Sequence, residues 1–234
     1  MSQRIALIAA LLLVLSGCTA TPGAVSSHGP SRSATPTASP APTTRPALSE
    51  LVVTPSGIGD IRLGKPVPAD APAVSVVTWD EKACVSDGGL SVGEPYSGLW
   101  TAAYPPVDGT GESVFALVTD DGTKDAVVSY VAIRVPSAIR SDAGIHVGDT
   151  LDALKAAYPG GFFQSAKGQN GADVYVAGDA DGVIAYDVSA PYPSDPNGWT
   201  ADQLHRVIAM NVFVPRSDPI LPNYGTTNSG LCPD

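Results

Sequence analysis

Apolar and polar positions alternate along this chain in a few recognisable ways. Ile5 to Leu15 runs without a polar residue, and no later run matches it. Far downstream, Val127 to Val135 and Val207 to Val214 are rich in β-branched residues, and each is followed by a proline. That composition predicts central strands. Ser113 to Thr119 and Ala126 to Val135 flank Asp121-Gly122, while Asp173 to Ala177 and Val183 to Val188 flank Asp181-Gly182. Asp-Gly between such runs predicts hairpins. After Thr150 the period changes: Leu151, Leu154, Ala157 and Tyr158 recur at spacings of three and four, which predicts a short helix. Asp149 or Thr150 can cap it, and Pro159-Gly160-Gly161 stops it.

These elements fall into two similar halves. Gly57-Ile58-Gly59-Asp60-Ile61-Arg62-Leu63-Gly64-Lys65-Pro66 aligns with Gly144-Ile145-His146-Val147-Gly148-Asp149-Thr150-Leu151 on Gly64 and Gly148. The stretch after Gly64 contains Pro66, Pro68 and Pro72, so its helix should be short and poor. The first half has extra material around Cys84 to Gly98, and the second has an extra loop from Pro191 to Gln203. The expected fold is α+β: two tandem strand-helix-antiparallel-strand repeats, residues 49–136 and 137–234, making one sheet with helices on one face.

The two matching segments around Gly64 and Gly148 resemble secreted actinobacterial lipoproteins with a Gly-Ile-Gly-x-Ile-x-Leu-Gly start. More distantly, they are similar to the tandem-repeat fold of β-lactamase inhibitory protein and of small envelope-assembly lipoproteins. That resemblance covers about a fifth of the domain and implies a binding scaffold. It transfers no binding residues, and Lys65-Pro66 departs from the Met-Thr usual in that family.

The N-terminus says where such a protein would reside. Arg4, the apolar run and Leu15-Ser16-Gly17-Cys18 have the layout of a signal peptide. The last four residues resemble a bacterial lipobox, a resemblance that implies a lipoprotein signal over residues 1–18 ending at a lipidated Cys18; the alternative is an ordinary signal peptide cleaved near Ala20. The run is too short to span a bilayer, which needs about 20 apolar residues. Residues 19–48 are almost all Ser, Thr, Pro, Ala or Gly, a composition that cannot offset its ordering entropy. They predict a disordered tether with a reach of roughly 30 Å. The expected location is the outer face of the cell membrane, held through the lipid anchor.

Charge narrows the partners. All 23 acidic residues lie from Glu50 onward, whereas Arg4, Arg32 and Arg45 of the 13 basic residues precede it, so the folded part carries a formal −13. With no basic patch, nucleic acid is not an expected partner. Cys84 and Cys232 remain after Cys18, and an even pair in an oxidising compartment predicts one disulfide.

Chemistry is sparse. The folded part has two histidines, His146 within the repeat motif and His205 before a strand, and neither sits in a catalytic motif. Asp120, Asp121 and Asp125, and again Asp179, Asp181 and Asp187, cluster without the rest of a calcium loop. No catalytic, metal or cofactor residue is therefore assigned, and no cofactor is expected. Aromatic residues give the remaining hint: Trp79, Tyr96 and Trp100 surround the first-half insertion, and Tyr192 and Trp199 lie in the second-half loop. They form the candidate binding surface. The expectation is a non-enzymatic binding module of the cell envelope, with an envelope protein or a cell-wall component as partner. The alternative is an envelope hydrolase built on a carboxylate, which requires a deep pocket and an Asp or Glu of raised pKa.

Overall fold

Runs of β-branched and apolar residues recur in both halves, and strands dominate the fold they make. The computed structural model describes residues 44–70, 73–85, 90–106, 113–160, 163–169, 171–191, 198–215 and 232. Strands β1 (Val52–Thr54), β2 (Gly57–Ile58), β3 (Ile61–Arg62) and β8 (Arg140–Ser141) form a small sheet in the order β3-β2-β1-β8. The large sheet contains β4 (Val77–Asp80), β5 (Leu99–Ala102), β6 (Ala116–Thr119), β7 (Val128–Ile133), β9 (Phe163–Gln169), β10 (Ala172–Asp179), β11 (Gly182–Ser189) and β12 (Val207–Phe213). Its order is β4-β5-β6-β7-β12-β11-β10-β9. Two four-stranded meanders are thus joined edge to edge through β7 and β12.

That arrangement overturns the expected α+β class. Among the described residues the one α-helix is α1 (Leu151–Ala157), and no layer of helices covers a sheet face. The physical reason in the first half is proline. Gly64 N–H donates to Val128 O, Val128 N–H donates to Lys65 O, and Pro66 bridges Val127, so the segment stays extended where a helix was expected. In the second half α1 forms as expected, with the Thr150 hydroxyl accepting from Ala153 N–H at 3.2 Å. It buries Leu154 and stops after two turns.

The main core lies between one face of the large sheet and the small sheet. Leu117, Val131, Ile133, Ile184, Tyr186, Met210 and Val212 meet Val53, Ile58, Ile61 and Leu154 there. Burying side chains of this size contributes about 1.5–3 kcal/mol each. Strand β11 is buried along its whole length, because it carries core residues on one face and Val183, Ala185 and Asp187 on the other.

The two halves are related by an approximate two-fold axis. Gly148 N–H donates to Val207 O, and Val207 N–H donates to Asp149 O, repeating the bonds of Gly64 and Lys65 with Val128. The bridge of Thr150 with Arg206 likewise repeats that of Pro66 with Val127. Positions 127 and 128 therefore correspond to 206 and 207, an offset of 79. In the β7–β12 ladder, Ile133 pairs Met210 and Val131 pairs Val212, which exchange under that offset. Ala132 faces Asn211, its own equivalent, so the axis passes through this pair. Even the irregularities repeat: the ladder shifts between Val118 and Thr119 beside β7, and between Asp187 and Val188 beside β12.

Cys84 and Cys232 form a disulfide, with Cα atoms 5.3 Å apart. Residues 44–48, on the tether side of the expected boundary, pack on the domain. Arg45 donates to Ser75 O and Ala103 O and lies over the Tyr104 ring, whose hydroxyl donates to Pro46 O at 2.8 Å. Cys18, the rest of the tether and Tyr192 lie outside the described residues.

Candidate functional site

Strands β7, β11 and β12 end or begin side by side, and a pocket of about 350 Å³ opens at that end of the sheet. Arg134 and Pro136 follow β7, Asp187 comes from β11, and Arg206 to Ala209 come from the start of β12. Val147 and Gly148 reach it from the turn before α1, while Trp199 and Gln203 come from the loop before β12. That loop is held on both sides. The Trp199 indole N–H donates to Gly171 O at 2.7 Å. Arg206 Nε donates to Asp202 O at 2.7 Å and its Nη1 to Gly148 O at 3.0 Å.

Asp187 is the chemical centre of the pocket. It is 3% exposed. Asn211 Nδ2 donates to its Oδ2 at 3.1 Å, and the Tyr130 hydroxyl donates to Asn211 Oδ1 at 2.6 Å. Among the described residues Oδ1 is the one buried side-chain oxygen or nitrogen without a hydrogen bond. A buried polar atom left unpaired costs about 1–3 kcal/mol. Burial drives the Asp187 pKa up to about 7, against the lowering effects of the Asn211 bond and the Arg134 charge. Its carboxyl is therefore poised between charged and neutral near physiological pH.

The first half supplies an internal control for this site. Under the two-fold relation, Asp187 corresponds to Val118, since each lies just before the shared ladder shift, opposite Ala209 and Tyr130 respectively. The 79-residue offset pairs Asn211 with Ala132, Arg206 with Val127, Arg134 with Phe213 and Ala209 with Tyr130. In the first half this corner is filled. Tyr130 and Ala132 cluster with Val118 and Phe213, and the Tyr130 and Phe213 rings stack with centroids 6.2 Å apart. In the second half a small alanine stands where the first has a tyrosine, and polar residues stand where it has Val118, Ala132, Val127 and Phe213. The open pocket is thus the polar counterpart of a packed apolar corner in the same chain.

Of the aromatic residues singled out from sequence, Trp79, Tyr96 and Trp100 gather near the β6–β7 turn, while Trp199 lies in the loop before β12. Trp79 and Trp100 face each other across β4 and β5 in an edge-to-face contact at 5.6 Å. The Trp100 indole donates to Lys124 O, and the Tyr96 hydroxyl donates to Asp120 O, so both lean on the β6–β7 turn. Trp100 packs partly against the core, whereas Tyr96 is exposed. Of this set, Trp199 alone lines the pocket. His146 donates its backbone N–H to Asp149 Oδ2, and His205, at φ 59°, accepts from Leu151 N–H through its carbonyl. Neither histidine lines the pocket. Asp121 accepts from Thr123 and Asp179 accepts from Asp181 N–H, both as turn residues. Asp187 does not join the turn cluster. Its signal in the sequence is different: a lone carboxylate inside the apolar run Val183 to Val188.

No protein family, curated protein or solved structure matches the chain.

Proposed function

We propose that this chain is a lipid-anchored extracytoplasmic binding protein whose ligand occupies the pocket around Asp187. The observation that carries the reading is a buried carboxylate with an unpaired oxygen on a residue that lines the pocket, at a corner whose counterpart holds the apolar cluster of Val118, Tyr130, Ala132 and Phe213. A valine there would serve stability, as Val118 does, so the carboxyl reads as kept for a ligand. The membrane part of the reading rests on Leu15-Ser16-Gly17-Cys18 and on the Ser/Thr/Pro-rich stretch that follows.

The test of the site is a small-fragment screen by NMR, run on the protein and on its Asp187→Val variant. Fragments that shift the Trp199 indole signal in the first and not in the second support it. A screen in which no fragment touches Trp199 defeats it. For the anchor, Cys18→Ala should move the protein from the membrane fraction to the soluble one. Unchanged membrane retention would refute lipidation at Cys18.

A carboxylate hydrolase is the second reading, favoured by the same raised carboxyl in the same pocket. Against it, the described lining residues supply Arg134, Gln203 and Arg206 beside Asp187, but no second carboxylate for acid–base hydrolysis. Turnover of an ester or glycoside that disappears in Asp187→Asn would reverse the order of the two readings.

A further inference from the structure

We infer that the face built by Trp79, Tyr96 and Trp100 docks an arginine-bearing segment of a partner protein. None of these three residues lines the pocket around Asp187, so this is a second surface.

Trp79 and Trp100 are cross-strand neighbours on β4 and β5, both half-buried, and meet edge to face. Trp79 lies over Gly98, where any side chain would strike its indole. Tyr96 lies in the same way over Gly122 and donates its hydroxyl to Asp120 O. Its φ of 66° is uncommon outside glycine. Val85, beside the disulfide at Cys84, and Val92 are exposed on the same insertion. The second half has no such face. Trp100 reaches Val131 through Leu117, as Tyr175 reaches Met210 through Tyr186, so Trp100 corresponds to Tyr175 and Trp79 to Gln164. Tyr175 is buried, and residues 170 and 171 alone separate β9 from β10.

Charge decides what fits there. Asp80 follows Trp79, Glu81 and Glu94 belong to the insertion, and Asp120, Asp121 and Asp125 lie in the turn on which Tyr96 and Trp100 lean. All six are exposed, with Lys82 and Lys124 as the cations among them. Among the described residues none of the six forms an ion pair. Such a face repels nucleic acid and anionic lipid and attracts a cation. The protein already sets one on the rings: Lys124 Nζ lies 5.9 Å from the Trp100 ring centroid. A guanidinium suits the place better than an ammonium, because it stacks on an indole and forks toward carboxylates. Two features favour a peptide segment over a free cation. Val85, Val92 and Tyr96 offer apolar contact beside the charge. Strand β4 is the edge of the large sheet, where an extended segment can pair.

The experiment follows the indole N–H signals of Trp79, Trp100 and Trp199 by NMR on the full chain in neutral detergent micelles. The probes are a peptide of about ten residues alternating arginine and threonine, and its counterparts with citrulline or glutamate for arginine. The arginine peptide should shift Trp79 and Trp100 and leave Trp199, while the other two shift none. Its affinity should fall by about tenfold or more as salt rises from low concentration to about 0.5 M. Glu81→Gln with Asp125→Asn should weaken it by about threefold or more. Asp179→Asn with Asp181→Asn makes the same change of charge at the β10–β11 turn and should leave it unchanged. Lys124→Met removes the competing cation and should tighten binding by about two- to fivefold, a gain that a damaged fold cannot give. The inference is overturned if the arginine peptide moves neither Trp79 nor Trp100, if the citrulline or glutamate peptide binds as tightly, or if the Asp179 and Asp181 pair weakens binding as much as the Glu81 and Asp125 pair. The pocket is judged separately, at Trp199.

Discussion

Asp187→Asn is the sharpest test of the pocket's electrostatics. It keeps the side-chain shape, lets Asn211 keep a partner and removes the titratable proton. The folded-state pKa of about 7 stands well above the ordinary 3.8. A raised carboxyl favours folding in its protonated form, so the folded state holds the proton more tightly than the unfolded one between those values. Stability is then fully present below about pH 4 and is lost as pH rises through about 7. Three pKa units correspond to about 4 kcal/mol, an upper bound, because a charged interior site relaxes and admits water. The assay is urea unfolding of the protein and of Asp187→Asn across about pH 4 to pH 8. The asparagine variant should match its parent at the acid end and exceed it by about 2–4 kcal/mol at the alkaline end. A difference between the two that stays constant across the range would refute the assignment of a buried, raised carboxyl at this position.

Three further outcomes follow from the packing. Ala209→Tyr copies the first half, where Tyr130 fills the equivalent corner, and should abolish fragment binding; retained binding would show that the ligand lies elsewhere. Cys84→Ser with Cys232→Ser opens a link across 148 positions and should cost about 2–5 kcal/mol in urea unfolding, with no loss expected if the C-terminus is free in the native protein. Gly57→Ala places a Cβ against the Ile61 carbonyl at a residue with φ 145°, so it should destabilise by at least about 1 kcal/mol, seen as a fall of several degrees in thermal midpoint.

How much of this is legible in the sequence depends on the range of the interaction. Local signals serve well. The Thr150 cap and the spacing of Leu151 and Leu154 specify α1, and the runs from Val127 and Val207 specify β7 and β12. Asp-Gly at 121–122 sits in a turn between β6 and β7, with Gly122 at φ 72° as such turns require. The expected helix layer is missing because the prolines after Gly64 leave an extended segment that β7 can bind, and because α1 is too short to cover a sheet of this size. The site is hidden for another reason. Proximity along the chain groups Asp187 with Asp179 and Asp181, yet those two lie at an exposed turn while Asp187 is buried. The relevant neighbours, Arg134 and Asn211, are distant in sequence and come together only through the β7–β12 pairing. Arg45 illustrates the same limit: its partners Ser75 and Ala103 lie far along the chain, so a stretch that reads as tether ends by packing on the domain.

The two-fold relation is what ties these separate facts to function. Two halves of similar pattern face the same packing problem at the same place, where two central strands meet the turn that begins at Gly64 or Gly148. One corner solves it with Val118 and Tyr130 of the first half and Phe213 from the second, an apolar cluster. The other corner uses Asp187 and Ala209 of the second half and Arg134 from the first, and it has a pocket and an unpaired buried oxygen. Neither feature helps the chain to fold, and the apolar corner has the same ladder shift as the polar one. A cost confined to one of two equivalent corners, and made of several concerted replacements, is the mark of a site that something else fills. The axis also explains how the site is stiffened. Asn211 stands on it, and Tyr130 reaches across from the filled half to hold that asparagine, which in turn orients Asp187. The packed corner thus braces the open one, and Tyr130→Phe should loosen ligand binding without entering the pocket itself.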